Sequence, residues 1–259
     1  MLLIDVGNTS IKWARPKKGA IPHYGQFPWQ HFGIVRHRDM DSLESTWQRL
    51  HAKQPIKYVL ISNVAGKKIS TILTQFLNHL QKPPIIEYFA SKNAHAGITN
   101  TYLDYSQLGC DRFASMIGAH ALFPNRPLVI ATAGTATTVD SITPDGVFQG
   151  GMILPGLGLM AHSLASNTEQ LPHIEGIEKD ITPFANHTRG AIIAGCLSAQ
   201  SGAIERAVSA FQKRYDNVHC LISGGAAKYI APSMSVPCYI IDNLVLIGLY
   251  VSSLATNQP

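Results

Sequence analysis

The sequence predicts an α/β protein built from two related lobes, and three features of the chain carry that expectation. Leu2-Leu3-Ile4-Asp5-Val6-Gly7-Asn8-Thr9 and Val129-Ile130-Ala131-Thr132-Ala133-Gly134-Thr135-Ala136 are each a short apolar run that closes in a polar residue, a spacer, Gly and an amide or hydroxyl. Tyr58-Val59-Leu60-Ile61-Ser62-Asn63 is echoed in the same way by Cys220-Leu221-Ile222-Ser223-Gly224-Gly225. The offsets, 127 and 161 residues, are too long and too unequal for a tandem solenoid, so they mark a duplicated lobe. The stretches between these runs carry helical periodicity, which completes the alternation of strand and helix.

Each element follows in order. Apolar runs as short as residues 2–6, bounded by Gly and small polar residues, favour a strand entering a tight turn over a helix. Leu43, Trp47 and Leu50 share one face of a helix, as do Ile69, Ile72, Leu73, Phe76, Leu77 and Leu80, with the strand at 58–63 between them. Leu108-Gly109-Cys110-Asp111-Arg112-Phe113 opens another helix whose apolar side is Phe113, Met116 and Ile117. Pro124 and Pro127 punctuate the chain, which sets the lobes at 1–120 and 121–259. In the second lobe Thr137, Thr138 and Val139 favour a strand after the turn. A long helix from Arg189 to Phe211 carries the small residues Ala191, Ala194, Gly195, Ser198, Ala199, Gly202 and Ala203, which suit either tight intrachain packing or a subunit interface. Asp242 is placed to cap a final helix running to Leu254.

Composition removes several classes of function. At 259 residues, 46% hydrophobic and 14% charged, the chain buries a sizeable core and is neither disordered nor fibrous. Its longest apolar run, Leu244 to Val251, is less than half a membrane span, and Asp5 interrupts the apolar start before a signal-peptide core forms. The expectation is an unprocessed cytoplasmic protein with no membrane partner. Cys110, Cys196, Cys220 and Cys238 are far apart and show no metal-ligand spacing, so they are expected to be reduced. The net charge of +5 is spread along the chain without a basic stripe interleaved with aromatics, which argues against nucleic acid and fits an anionic small molecule.

The chemistry concentrates in the turns. Asp5-Val6-Gly7-Asn8-Thr9-Ser10 places a carboxylate at a strand end and then backbone N–H groups that Gly7 lets approach a ligand, as in a phosphate loop; D-x-G-N is equally good chemistry for a plain β-turn. Neither G-K-[ST] nor G-x-G-x-x-G is present, so P-loop and Rossmann readings lose their support. Gly134 to Thr138 offers hydroxyls and amides for a second phosphate contact, or only a threonine-rich strand. Ser223-Gly224-Gly225-Ala226-Ala227 passes under a flat ring such as adenine, or simply enters a helix. Asp111, near the start of its helix, stays ionised in the field of the helix dipole and is placed to accept a hydroxyl proton, while Arg112 offers a fork for a carboxylate or phosphate; the plain alternative is an N-terminal cap beside a solvated Arg.

Taken together, Asp5-Val6-Gly7-Asn8-Thr9, Leu108 to Arg112, Gly134-Thr135-Ala136-Thr137-Thr138-Val139-Asp140 and Gly150-Gly151-Met152-Ile153-Leu154-Pro155-Gly156 resemble the type III pantothenate kinases, in the family's order and over nearly the whole chain. The resemblance implies the acetate and sugar kinase, Hsc70 and actin superfamily, with two ribonuclease-H-like lobes around a nucleotide cleft, and a homodimer. It implies transfer of the ATP γ-phosphoryl group to pantothenate, giving 4'-phosphopantothenate in the first step of coenzyme A biosynthesis. By resemblance Asp5, Val6, Gly7, Asn8, Thr9, Ser10, Ile11 and Lys12 match the first phosphate loop, with Asp5 near Mg2+, and Thr135 matches an ATP contact. Gly109, Cys110, Asp111 and Arg112 match the pantothenate segment with Asp111 as general base, and Tyr102 and Thr188 match further substrate contacts. Thr132 stands where many members carry an Asp ligand for a monovalent cation, K+ or NH4+. The alternative is an accessory protein related to this family, acting in transcription and binding ligand without turnover.

Overall fold

The computed structural model describes residues 1–167, 172 and 182–256. The chain divides into two compact units, Met1–Pro124 joined by Asn243–Pro259, and Asn125–Asp242.

In the first unit β1 (Leu2–Val6), β2 (Ser10–Pro16), β3 (Trp29–Arg36), β4 (Tyr58–Asn63) and β5 (Ile85–Tyr88) form one sheet in the order β3-β2-β1-β4-β5. A three-residue link permits only an antiparallel return from β1 to β2, whereas β4 and β5 lie parallel to their neighbours because α1 (Ser42–Lys53) and α2 (Lys67–Asn78) carry the chain back before each strand. Leu2, Leu3 and Ile4 are wholly buried, as a central strand covered on both faces requires. On one face Leu43 and Trp47 of α1 and Leu73 and Leu77 of α2 pack with Ile4, Val6, Val59 and Ile61. A small hairpin, β6 (Ala94–His95) with β7 (Ile98–Thr99), precedes α3 (Cys110–Leu122).

The second unit repeats the plan. Its strands β8 (Leu128–Ala133), β9 (Ala136–Ile142), β10 (Phe148–Pro155), β11 (His219–Ser223) and β12 (Cys238–Ile240) are ordered β10-β9-β8-β11-β12, the same arrangement position for position. Between them lie α4 (Leu157–Ser166), α5 (Thr188–Gln212) and the short α6 (Ala227–Ile230). The 25-residue α5 buries Ile192, Ile193, Leu197, Ile204, Val208 and Phe211 in a core with Val129, Ala131, Val139 and Ile222. Of its small residues, Ala194 is buried, but Ala191, Gly195, Ser198, Ala199 and Gly202 are exposed, and a Cβ added at Gly195 or Gly202 would meet nothing. Those five do not serve packing within the unit.

The last helix, α7 (Leu244–Thr256), corrects the division at 121–259: it packs in the first unit. The cause is a close crossing with α3. A Cβ on Gly118 would stand 2.6 Å from the Leu244 carbonyl oxygen, and one on Gly248 would overlap the Ala114 carbonyl, so two glycines let the backbones touch. Tyr250 adds a 2.7 Å hydrogen bond from its hydroxyl to the Ala20 carbonyl. Asp242 is not the helix cap. The helix starts two residues later behind Asn243, which adopts a left-handed φ of 58° and accepts the Ile247 N–H at 3.1 Å.

No helix among the described residues is long and apolar enough to cross a membrane. All four cysteines are free, and no group of three metal-ligating side chains gathers among the described residues.

Candidate active site

The site in the first unit grows from three chain segments that meet at one end of the sheet. β1 ends in Asp5 and Val6, and the chain turns through Gly7, Asn8 and Thr9 into Ser10, with the Gly7 N–H donating to the Ser10 carbonyl at 3.1 Å. Register places Asp5 between Lys12 on β2 and Ser62 on β4. Ser62 lies 3.4 Å from the Cys110 thiol, and that thiol also donates to the Asn63 carbonyl at 3.7 Å, so the start of α3 is fastened against the end of β4. Asp111 follows in the first helical turn, where its Oδ1 accepts the Arg112 N–H at 2.8 Å. A Cβ at Gly109 would stand 2.7 Å from Asp111 Oδ1, so the glycine leaves that carboxylate its present place.

Electrostatics makes the two carboxylates a pair. Burial raises Asp5 to about 7; the facing Lys12 opposes that shift and the nearby Asp111 adds to it. Asp111 is also raised, first by burial, with the Arg112 N–H bond and the guanidinium charge pulling the other way. A carboxylate held above its ordinary range is a better proton acceptor, which is the property a general base needs. Arg112 is itself 5% exposed, donates from Nη1 to the Tyr102 hydroxyl at 2.9 Å and lies over the Tyr102 ring. Asp5, Lys12, Tyr102, Gly109, Cys110, Asp111 and Arg112 are therefore brought together in this unit.

The second unit holds a turn of the same design. Gly134 donates its N–H to the Ala136 carbonyl at 2.9 Å, and Gly156, just past β10, donates to the Thr135 carbonyl at 2.9 Å. Here Gly156 is a matter of close approach, because a Cβ would lie 2.5 Å from the Thr135 carbonyl oxygen. Thr132 sits between Thr138 on β9 and Ser223 on β11, a row of three hydroxyls across adjacent strands. Ala226 donates to the Ala133 carbonyl at 3.1 Å, so the Ser223 to Ala227 segment does enter a helix, α6. Thr188 is exposed at the first position of α5, after His187, whose Nδ1 accepts the Gly190 N–H at 3.1 Å. A cavity of about 500 Å3 beside β9, β10 and α5 is lined by Asp140, Gln149, Arg206 and Arg214 and includes none of the turn residues.

Two residues with roles here have no motif in the sequence. Ser62 holds Cys110, and His37 places its Nε2 2.7 Å from the Gly7 carbonyl oxygen. Ser62 is visible only as half of the second internal echo; His37, thirty residues from the turn, has no local signal.

Two sheets of one strand order, each with a glycine turn between its first two strands, define the duplicated α/β fold class in which sugar kinases and actin occur. Solved structures of that shape include a putative Baf family transcriptional activator from Campylobacter jejuni (TM-score 0.62, 16% identity, all of both chains). A putative 2-dehydro-3-deoxygalactonokinase from Sinorhizobium meliloti is similar as well (TM-score 0.61, 12% identity, 100% of this chain and 99% of that one). Within the class, residues 1–210 match the type III pantothenate kinase family model. Type III pantothenate kinases of Janthinobacterium sp. (strain Marseille) and Herminiimonas arsenicoxydans are 48% and 46% identical, over 96% of both chains for the first and 99% and 98% for the second. The chain belongs to the type III pantothenate kinase family.

Proposed function

We propose that the protein transfers the γ-phosphoryl group of ATP to the terminal hydroxyl of pantothenate, the family's reaction, with Asp111 as general base. The observation that carries this reading is the meeting of Asp111, raised in basicity by burial, with Asp5 at the strand end that leads into the phosphate turn. The hydroxyl oxygen attacks the γ-phosphorus, Asp111 takes the hydroxyl proton, and the bond from phosphorus to the ADP oxygen breaks. Arg112, held by Tyr102 and next to Gly109 and Cys110 in sequence, supplies the buried positive charge for the pantothenate carboxylate, and Thr188 is a substrate contact by its match to the family. The N–H groups of Asn8 and Thr9 and the Lys12 ammonium serve the phosphates, and Thr135 is an ATP contact by its match to the family.

Asp5 fits a hard, oxygen-binding cation such as Mg2+, being a buried carboxylate whose charge is costly without a positive partner. Bound there with ATP, Mg2+ would supply charge neutralisation for the phosphates. The row at Thr132 offers only neutral hydroxyls and does not fit a site for a monovalent cation that relies on a carboxylate.

The protein acts as a homodimer in this reading. The exposed stripe of Ala191, Gly195, Ser198, Ala199 and Gly202 on α5, with Leu159 on α4 and Ile153 on β10 also exposed, suits a second copy. A coupled assay of ADP release with and without pantothenate tests the reaction: release that pantothenate does not stimulate removes it, and no release under either condition favours the accessory reading.

A further inference from the structure

We infer that His37 is a positioning residue for the phosphate turn, one that fixes the orientation of the Gly7–Asn8 peptide. The inference rests on reading that turn as the site of the ATP phosphates.

The geometry begins with the sheet. Ser10 pairs with Arg36, so the residue after β3 emerges beside the Gly7 to Thr9 turn, and His37 there sets Nε2 2.7 Å from the Gly7 carbonyl oxygen. A carbonyl oxygen only accepts, so Nε2 carries the proton and donates. In a planar trans peptide the C=O and the following N–H point in opposite directions. Holding the Gly7 carbonyl toward His37 therefore turns the Asn8 N–H away from it, to the exposed side of the turn occupied by Asn8 and Thr9. Glycine admits both orientations of such a peptide at little cost, so the sequence of the turn does not settle which one is populated. Flipped, the peptide would present a carbonyl oxygen to an anionic phosphate where it now presents an N–H.

The second unit supplies an independent parallel. There too the segment leaving the third strand of the sheet donates into a carbonyl of the glycine turn, but the donor is the backbone N–H of Gly156 to Thr135 at 2.9 Å. Both turns are thus held from the segment leaving the third strand, at Gly7 by an imidazole and at Thr135, one position further along the second turn, by a backbone N–H. Only the imidazole can be removed by mutation without altering the main chain.

The test compares His37→Ala and His37→Gln with the wild-type enzyme in steady-state kinetics, with melting temperatures recorded to confirm folding. Loss of one oriented donor should raise the KM for ATP by roughly 3- to 10-fold in His37→Ala, with the KM for pantothenate within about twofold of wild type. His37→Gln, whose amide can donate to the same carbonyl, should recover most of the loss. A folded His37→Ala enzyme with an unchanged KM for ATP, equal rises in both KM values, or a Gln variant no better than Ala would overturn the inference. A separate variant, Lys12→Met, guards the underlying reading: an unchanged KM for ATP there would fault the phosphate turn itself rather than the role of His37.

Discussion

Thr132 holds in the second sheet the place that Asp5 holds in the first. Asp5 lies between Lys12 and Ser62, Thr132 between Thr138 and Ser223, and each pair of strands runs in the same sense. One position of a duplicated fold thus carries a carboxylate beside an ammonium in one copy and a neutral hydroxyl among hydroxyls in the other.

That difference sets the expected response to potassium. Hard monovalent cations need oxygen ligands and local negative charge, and Thr132 supplies no charge. Initial rates without K+ or NH4+ should remain a substantial fraction of the maximum, measured in Tris buffer with NaCl holding ionic strength constant. Thr132→Asp should increase the dependence. A wild-type enzyme silent until KCl is added would show that other oxygens complete the site.

Asp111→Asn should lower turnover by roughly 10²-fold or more while leaving the fold and nucleotide binding intact. The amide keeps the shape of the side chain but cannot take the hydroxyl proton. Calorimetric titration with ADP, alongside turnover, separates the two effects; near-wild-type turnover would remove Asp111 from the role of base.

Asp5 gives a pH dependence with a definite sign. Its pKa is about 7 in the folded protein against an ordinary 3.8, so the fold retains a proton that the unfolded chain releases, and stability associated with Asp5 is lost as pH rises from about 4 through 7. Asp5→Asn should therefore melt about 2–4 °C above wild type at pH 8, with the gap closing by pH 4, although the variant loses activity. In the wild-type protein, apparent Mg2+ affinity should weaken below pH 7 as the carboxyl protonates. Melting curves that coincide at pH 8 would mean that Asp5 carries no such strain.

Gly248→Val should destabilise the first unit by about 2 kcal/mol or more, because its side chain would have to occupy the space of the Ala114 carbonyl. Urea unfolding checks this, and a variant as stable as wild type would show that α3 and α7 can separate without cost.

Much of this arrangement can be read from the chain, for a physical reason. Central strands buried on both faces read as unbroken apolar runs, and the glycine turns after them carry the polar residues, so Asp5 and Thr132 stand out by position alone. Asp111 and Arg112 are conspicuous as adjacent opposite charges in the otherwise uncharged run from Leu108 to Ile117. Periodicity, by contrast, says that a helix buries a face but not against what. The attachment of α7 to α3 rests on Gly118 and Gly248, two small residues 130 positions apart. His37 escapes notice because its link to Gly7 exists only through the β2–β3 register.

Because α7 completes the first unit, the order of synthesis and the order of assembly differ. Residues 1–124 leave the ribosome without the helix that covers Ala114 and Gly118, and the intervening 125–242 form a continuous stretch able to condense by itself. The half of the molecule made first is finished last. Until Leu244–Thr256 emerges, the nascent chain has to keep an apolar face of α3 from other partners, so early termination of translation leaves an unclosed lobe as the species a cell must clear.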